Sequence, residues 1–307
     1  MGRINYFDIQ FQQSPTGFFY GGQMLQGAVI IDVLEPISVR ALYVIIAGDS
    51  RTFWVNKTSD KIYEGHDSHI NARVDLNLAA LGASEDGYTL NKGTHSLQFA
   101  FPLPDALPSS FEGEYGNTRY MTTARIELLQ PSRFLGAGAV AEYHVDKSFM
   151  VCPLSNPASR SLQQLEPVRS IESVEMIGCM GKSGVVEIEL AMAKAEFRVG
   201  EQLTATVSIR NSSKSKIKNI EFLLFQHTRF QAISRYESVI DYKDMSRVVD
   251  AVQLGSLGSS KRQQWPVAIL VPQVPPSQTG RIIGIAYWVK VLSKDGIEVT
   301  VPVGITT

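Results

Sequence analysis

Three segments place chemically capable residues at spacings that chemistry uses. Gly178-Cys179-Met180-Gly181-Lys182-Ser183 ends like a phosphate-binding loop. That loop also needs a glycine five residues before its Gly-Lys pair, and Met176 stands there. The residues that follow, Val185-Val186-Glu187-Ile188, alternate as a strand does, whereas a phosphate loop must open a helix. A turn leading into a second domain is the better reading. His66-Asp67-Ser68-His69 sets two imidazoles three residues apart, but no cysteine pair or nearby histidine completes a zinc site. The polar stretch Asn56 to Asn71 reads as a solvated loop. Lys214, Lys216 and Lys218 alternate, with Arg210 at the same parity. On a strand they would form one basic face able to meet anionic headgroups, each charge contributing about 1 kcal/mol. Asn211-Ser212-Ser213 favours the plainer reading of a hairpin turn.

No Gly-x-Ser-x-Gly elbow and no His-Glu-x-x-His zinc motif occurs. Neither Cys152 nor Cys179 has a local nucleophile signature. His95, His144 and His227 fall in or beside strand patterns, where edge or core positions are the default. These readings assign no catalytic residue, no cofactor and no metal ligand, and the expectation is a protein that is not an enzyme.

The elements that position these residues are strands. The chain has 307 residues, 44% hydrophobic and 19% charged, which is globular composition with room for two domains. With 29 Lys+Arg against 30 Asp+Glu, a basic nucleic-acid footprint over the whole chain is excluded. No apolar run has the roughly 18 residues a membrane helix needs. Two cysteines and an N-terminus without a signal-peptide core point to a reducing, cytoplasmic compartment. Leu97–Phe101, Val185–Leu190 and Leu203–Ile209 alternate large with small or polar side chains, as half-buried strands do. The 24 glycines and 14 prolines break these runs at short intervals, which favours sandwiches. Only Ala72 to Ala83 suggests a short helix.

The halves also repeat. At an offset of 178, Phe19, Gly22, Leu25 and Val29 fall on Phe197, Gly200, Leu203 and Val207. Val44-Ile45-Ile46 falls on Phe222-Leu223-Leu224, and Arg51 on Arg229, without a gap. Further on, Leu97, Phe99, Phe101 and Pro102 match Val267, Ile269, Val271 and Pro272 at an offset of 170. The reading is one β unit present twice. The first sandwich is expected over 1–150, a Pro/Ser-rich linker over 151–169, and the second sandwich over 170–307.

Particular segments carry a family resemblance. Leu107-Pro108-Ser109-Ser110-Phe111-Glu112-Gly113-Glu114-Tyr115-Gly116 is followed by Arg119-Tyr120, and the second half has Phe197-Arg198-Val199-Gly200-Glu201 and Val271-Pro272-Gln273-Val274-Pro275-Pro276-Ser277. The chain resembles an arrestin-domain protein of the alpha-arrestin branch over nearly its whole length. The resemblance implies two tandem immunoglobulin-like β-sandwiches of arrestin type, all-β, of about seven strands each. It implies a cytosolic adaptor that holds cytoplasmic segments of membrane proteins during endocytosis and sorting, with peripheral association at plasma membrane or endosomes. It also implies recruitment of WW-domain ubiquitin ligases through Pro-Pro-x-Tyr motifs in a C-terminal tail. This sequence departs there: its one Pro-Pro pair, Pro275-Pro276, is followed by Ser277 and Gln278. The expected contact segments are the Asn56–Asn71 loop and the first-domain edge near Phe111–Tyr120. The expected anionic-surface contacts are Lys214, Lys216 and Lys218. The alternative is a structural coat subunit of a sorting complex, of the retromer arrestin-like type.

Overall fold

The computed structural model describes residues 3–12, 14, 16–78, 82–84, 87–129, 140–152, 166–178 and 181–307. They form strands and turns with no helix among them. The chain divides into two compact units, Met1–Leu154 with Ala232–Ser238, and Ser155–Gln231 with Val239–Thr307. Each is a sandwich of two sheets.

The first unit contains β1 (Ile4–Phe11), β2 (Phe18–Tyr20), β3 (Met24–Val33), β4 (Ile37–Val55), β5 (Ile62–Asp75), β6 (Gly82–Ser84), β7 (Gly87–Leu90), β8 (Gly93–Pro102), β9 (Phe111–Gly113), β10 (Gly116–Leu129) and β11 (Val140–Cys152). One sheet has the order β1-β3-β8 and the other β5-β4-β10-β11-β2, with β7 on β4 and β9 on β10. The inward positions are apolar at every second residue, so Ile9, Leu25, Val29, Val44, Ile46, Phe99 and Tyr120 share one core. Phe11, Phe19 and Phe149 meet edge-to-face inside it. The segment Ala232–Ser238 groups with this unit. Ile233 lies opposite Glu64, the Arg235 guanidinium grips the Glu64 carboxylate at 2.7 and 3.1 Å, and Lys61 bonds Glu237 at 2.6 Å.

The second unit contains β12 (Val168–Gly178), β13 (Gly181–Met192), β14 (Glu196–Arg198), β15 (Gln202–Asn211), β16 (Ile217–Ser234, its last three residues on the first unit), β17 (Ile240–Leu257), β18 (Lys261–Leu270), β19 (Gln278–Thr279), β20 (Ile283–Leu292) and β21 (Glu298–Thr306). One sheet has the order β12-β13-β15-β18. The other has β14-β21-β20-β16, with β17 on β16 and β19 on β20.

The duplication extends to individual hydrogen bonds. The short strand β2 runs parallel to β11, and β14 runs parallel to β21. Gly22 and Gly200 both turn the chain at φ of 75° and 80°, which disfavours any side chain. The side chain that follows each glycine caps the turn: Tyr20 N–H donates to Gln23 Oε1, and Arg198 N–H to Glu201 Oε2. Ser110 exchanges bonds with Val151 through its N–H and hydroxyl, and Ser277 does the same with Ile305. The Tyr120 hydroxyl donates to the Pro108 carbonyl at 2.7 Å, and Tyr287 donates to Pro275. Burial pushes both phenols far above the ordinary tyrosine range.

Several expectations change. The offset of 170 slips by two residues. Phe99 lies opposite Gly27 and Val267 opposite Ala205, and Ala205 is the counterpart of Gly27 in the gapless repeat. Phe99 therefore corresponds to Val267, an offset of 168. A shift of two keeps every side chain on its face, so alternation cannot detect it. The suggested helix over Ala72–Ala83 is not one. Ala72 to Asp75 extend β5, with Ala72 opposite Ile46 and Val74 opposite Val44, because the partner strand satisfies their backbone groups. The Asn56–Asn71 stretch is a loop only as far as Lys61, since β5 begins at Ile62. Most of the expected linker, 153–165, lies outside the described residues. At its two ends β11 runs to Cys152 and β12 starts at Val168.

Candidate interaction surfaces

The segment Phe111–Tyr120 builds a groove in the first unit. β10 has β4 on one side throughout. On its other side β9 pairs only as far as Phe111 opposite Thr118, and β11 takes over at Phe149 opposite Tyr120. The gap between these two neighbours opens a groove of about 650 Å³. Its deep side is apolar, with Tyr120 and Phe149 fully buried. Its outer wall carries Phe111, Met121 and Met150, both methionines well exposed. Unbranched thioether side chains adapt to varied apolar partners. Arg119 stands at the rim in a two-pronged bond to Glu112, at 2.6 and 2.9 Å. Both partners are largely solvent-exposed, so the pair orients Arg119 more than it stabilises the fold. The edge expected near Phe111–Tyr120 is thus β9 alone, because Tyr120 belongs to the core. In the second unit the positions of Arg119, Met121 and Met150 hold Ala286, Trp288 and Gly304, by the registers that align Tyr120 with Tyr287 and Phe18 with Glu196. The duplicated scaffold is retained around the groove while its outer side chains differ.

The two histidines of the His66–His69 motif lie on β5 and do not converge. His66 Nε2 bonds Asp49 Oδ1 at 2.7 Å in the open. His69 Nε2 bonds the buried Ser50 hydroxyl at 2.7 Å, and Ser50 bonds Thr118 at 2.7 Å. No group of three or more metal-ligating side chains occurs among the described residues. Burial holds the His69 pKa below the ordinary imidazole value of about 6.5, against the pull of Asp67 and Asp49. An unfolded chain therefore takes up this proton first. The His69 contribution to stability is complete above about pH 6.5, falls on acidification, and levels off below the folded midpoint. Proton NMR should find His69 titrating below the ordinary imidazole value. His69→Gln, which keeps a hydrogen-bonding group opposite Ser50, should flatten the loss of stability between pH 7 and 5. A His69 midpoint at or above the ordinary value would contradict this.

In the second unit, Gly178 and Gly181 face each other across the β12–β13 hairpin. A strand follows the Gly-Lys-Ser sequence, as read from the alternation. Lys214 and Lys216 lie in the turn between β15 and β16, and Lys218 is the second residue of β16. They are exposed, but they do not form one face of a strand. The buried Asn211 side chain closes the turn, donating to Ser215 O at 2.7 Å and accepting from Ser213 N–H at 3.0 Å. His227, Asp244 and Ser246 escape sequence reading because β16 and β17 bring them together. His227 Nε2 lies 2.9 Å from Asp244 Oδ1 and Nδ1 lies 3.1 Å from the Ser246 hydroxyl. Arg229 also bonds Asp244 at 2.8 Å and lowers the pKa of its carboxyl. With Arg229 and His227 on β16 sharing the Asp244 carboxylate of β17, this string works as a cross-strand tie.

Residues 7–153 match the family model "Arrestin (or S-antigen), N-terminal domain", and residues 182–307 match "Arrestin (or S-antigen), C-terminal domain". The chain is 27% identical to Arrestin domain-containing protein 15 of Caenorhabditis elegans, covering 93% of this chain and 75% of that protein. It is 27% identical to Arrestin domain-containing protein 17 of the same organism, covering 99% and 70%. It is 25% identical to Arrestin domain-containing protein 4 of Mus musculus, covering 90% and 64%. With both halves matched in order, and the sandwich plan repeated down to its turn and corner hydrogen bonds, the chain belongs to the arrestin family of adaptors, on its alpha-arrestin branch.

Proposed function

We propose that the protein is a cytosolic adaptor whose first unit holds cytoplasmic segments of membrane proteins during endocytosis and sorting, at the plasma membrane or endosomes. The groove between β9 and β11 carries this reading. It offers adaptable apolar side chains, Met121, Met150 and Phe111, beside an oriented guanidinium, Arg119. That combination suits an extended segment bearing an apolar side chain and a carboxylate, which would compete with Glu112 for Arg119. Linkage to WW-domain ubiquitin ligases would not run through Pro275-Pro276. The Pro275 carbonyl accepts the Tyr287 hydroxyl, and the neighbouring Ser277 is bonded to Ile305 through both its N–H and its hydroxyl. This pair is part of the fold, whereas a WW ligand must be free to extend.

The test is affinity capture of the intact protein from detergent-solubilised membranes, beside the double variant Met121→Glu, Met150→Glu. Both methionines are exposed, so the variant should keep wild-type stability. The intact protein should recover membrane-protein cargo, and the variant at least tenfold less. Recovery of soluble partners alone, or equal recovery by both proteins, would end this reading.

A further inference from the structure

The apolar surface of the first unit's groove continues past Met150. The short strand β2 runs beside the end of β11, with Phe18 opposite Met150 and Tyr20 opposite Cys152. Opposite residues share a face of a sheet, and the intervening pair, Phe19 and Val151, points into the core. Phe18 and Tyr20 therefore stand on the outer face beside Met150, and both are well exposed. On β10, Arg119 and Met121 border the same gap. An apolar patch of Met121, Met150, Phe18 and Tyr20 thus crosses β10, β11 and β2, with the Arg119–Glu112 pair at one end.

The fold does not require these side chains. The second unit keeps the same strands and puts Trp288, Gly304, Glu196 and Arg198 at the positions of Met121, Met150, Phe18 and Tyr20, and Ala286 at that of Arg119. An apolar patch with a polar rim, present on one copy of a duplicated scaffold, marks a contact surface. Side chains make the contact here, because strand addition is blocked. β2 is the last strand of its sheet, and its Phe18 N–H donates to Ser14 Oγ at 2.8 Å and its Tyr20 N–H to Gln23 Oε1 at 3.0 Å. An edge capped in this way withholds the donors that a new strand would need.

We propose that this patch receives a short extended segment of a partner protein in which an acidic residue lies within four residues of two apolar ones. The inference rests on the adaptor reading and names the ligand chemistry that reading leaves open. Two strand spacings, about 10 Å, separate β10, which carries Arg119, from β2, which carries Phe18. An extended chain covers that distance in about three to four residues. With a carboxylate on Arg119, alternate side chains of the segment fall on Met121 and Met150 and then on Phe18 and Tyr20. The guanidinium selects the acid because it grips a carboxylate in a two-pronged bond, as it grips Glu112 at 2.6 and 2.9 Å. Glu112 thus occupies the place of the ligand's carboxylate, and neutralising it should strengthen binding.

The test is fluorescence polarisation of labelled peptides carrying Asp-Ser-Leu-Ser-Phe, or the reverse order Phe-Ser-Leu-Ser-Asp, with the intact protein. At least one should bind saturably below about 1 mM. Asparagine in place of the peptide's aspartate, or Arg119→Gln in the protein, should weaken binding about fivefold. Glu112→Gln should tighten it by about the same factor. The double variant Phe18→Ser, Tyr20→Ser should bind at least tenfold more weakly at unchanged melting temperature, because both side chains are exposed. Absence of saturable binding by the wild type overturns the proposal. So does binding that ignores the loss of the aspartate or the Phe18, Tyr20 change. A dimer in sedimentation velocity that the double variant abolishes also overturns it, since the patch would then belong to a second copy. The two readings fail separately. Peptide binding without recovery of membrane cargo ends the adaptor reading, whereas cargo recovery untouched by Phe18→Ser, Tyr20→Ser ends this proposal alone.

Discussion

Tyr120→Ala should cost the first unit about 4 kcal/mol, the range for removing a large aromatic side chain from a packed core. Three features put Tyr120 there. The side chain is fully buried. Its ring lies over Gly48, where a Cβ would fall 2.4 Å from a ring carbon, and its centroid is 5.6 Å from that of Phe149. Its hydroxyl satisfies the Pro108 carbonyl at 2.7 Å. Alanine would leave a cavity between β4, β10 and β11 and an acceptor without its donor. Tyr120→Phe separates the two effects. It keeps the ring and removes only the hydroxyl, so it should cost about 1 kcal/mol. Gly48→Ala should destabilise by about 1–3 kcal/mol, through overpacking against the same ring. Urea unfolding followed by Trp54 fluorescence reports on this unit. A Tyr120→Ala protein that stays within about 1 kcal/mol of wild type would show that the corner does not anchor the sandwich.

The second large effect belongs to Asn211. Its amide is fully buried and makes four hydrogen bonds: it donates to Ser215 O and Gly258 O and accepts from the Ser213 N–H and hydroxyl. Asn211→Ala should cost roughly 3 kcal/mol, because it leaves the buried Ser213 N–H without its acceptor and frees the two turns from each other. Asn211→Asp should be no milder, since a carboxylate cannot donate to the two carbonyls. Trp265 and Trp288 both lie in the second unit and report its unfolding. Unfolding at the wild-type urea concentration would remove Asn211 from this role.

The candidate site was only partly legible. Phe111–Tyr120 stood out in the sequence, but the groove depends on β9 ending just where β11 begins to pair with β10, and no local pattern encodes that handover. Met150, which completes the wall, is separated from Met121 by residues that include a stretch outside those described. The three lysines at 214, 216 and 218 drew attention through their parity, which is a strand's property. Lys214 and Lys216 belong to a turn, and only Lys218 lies on a strand. His69 looked like one of a metal pair and is instead bonded to the Ser50 hydroxyl of β4, which in turn bonds Thr118 of β10.

By itself, the sequence determined the class and the plan. Period-two alternation is a local property of a chain lying on a buried surface, and the gapless repeat at 178 identifies two modules of one kind. Both can be read without knowing which strands are neighbours. The tertiary structure decided the register and the groove. A slip of two residues costs alternation nothing, so only cross-strand partners could align Phe99 with Val267. The tie from Asn211 to Gly258 likewise exists only once β15 and β18 share a sheet, because it joins residues that are remote along the chain.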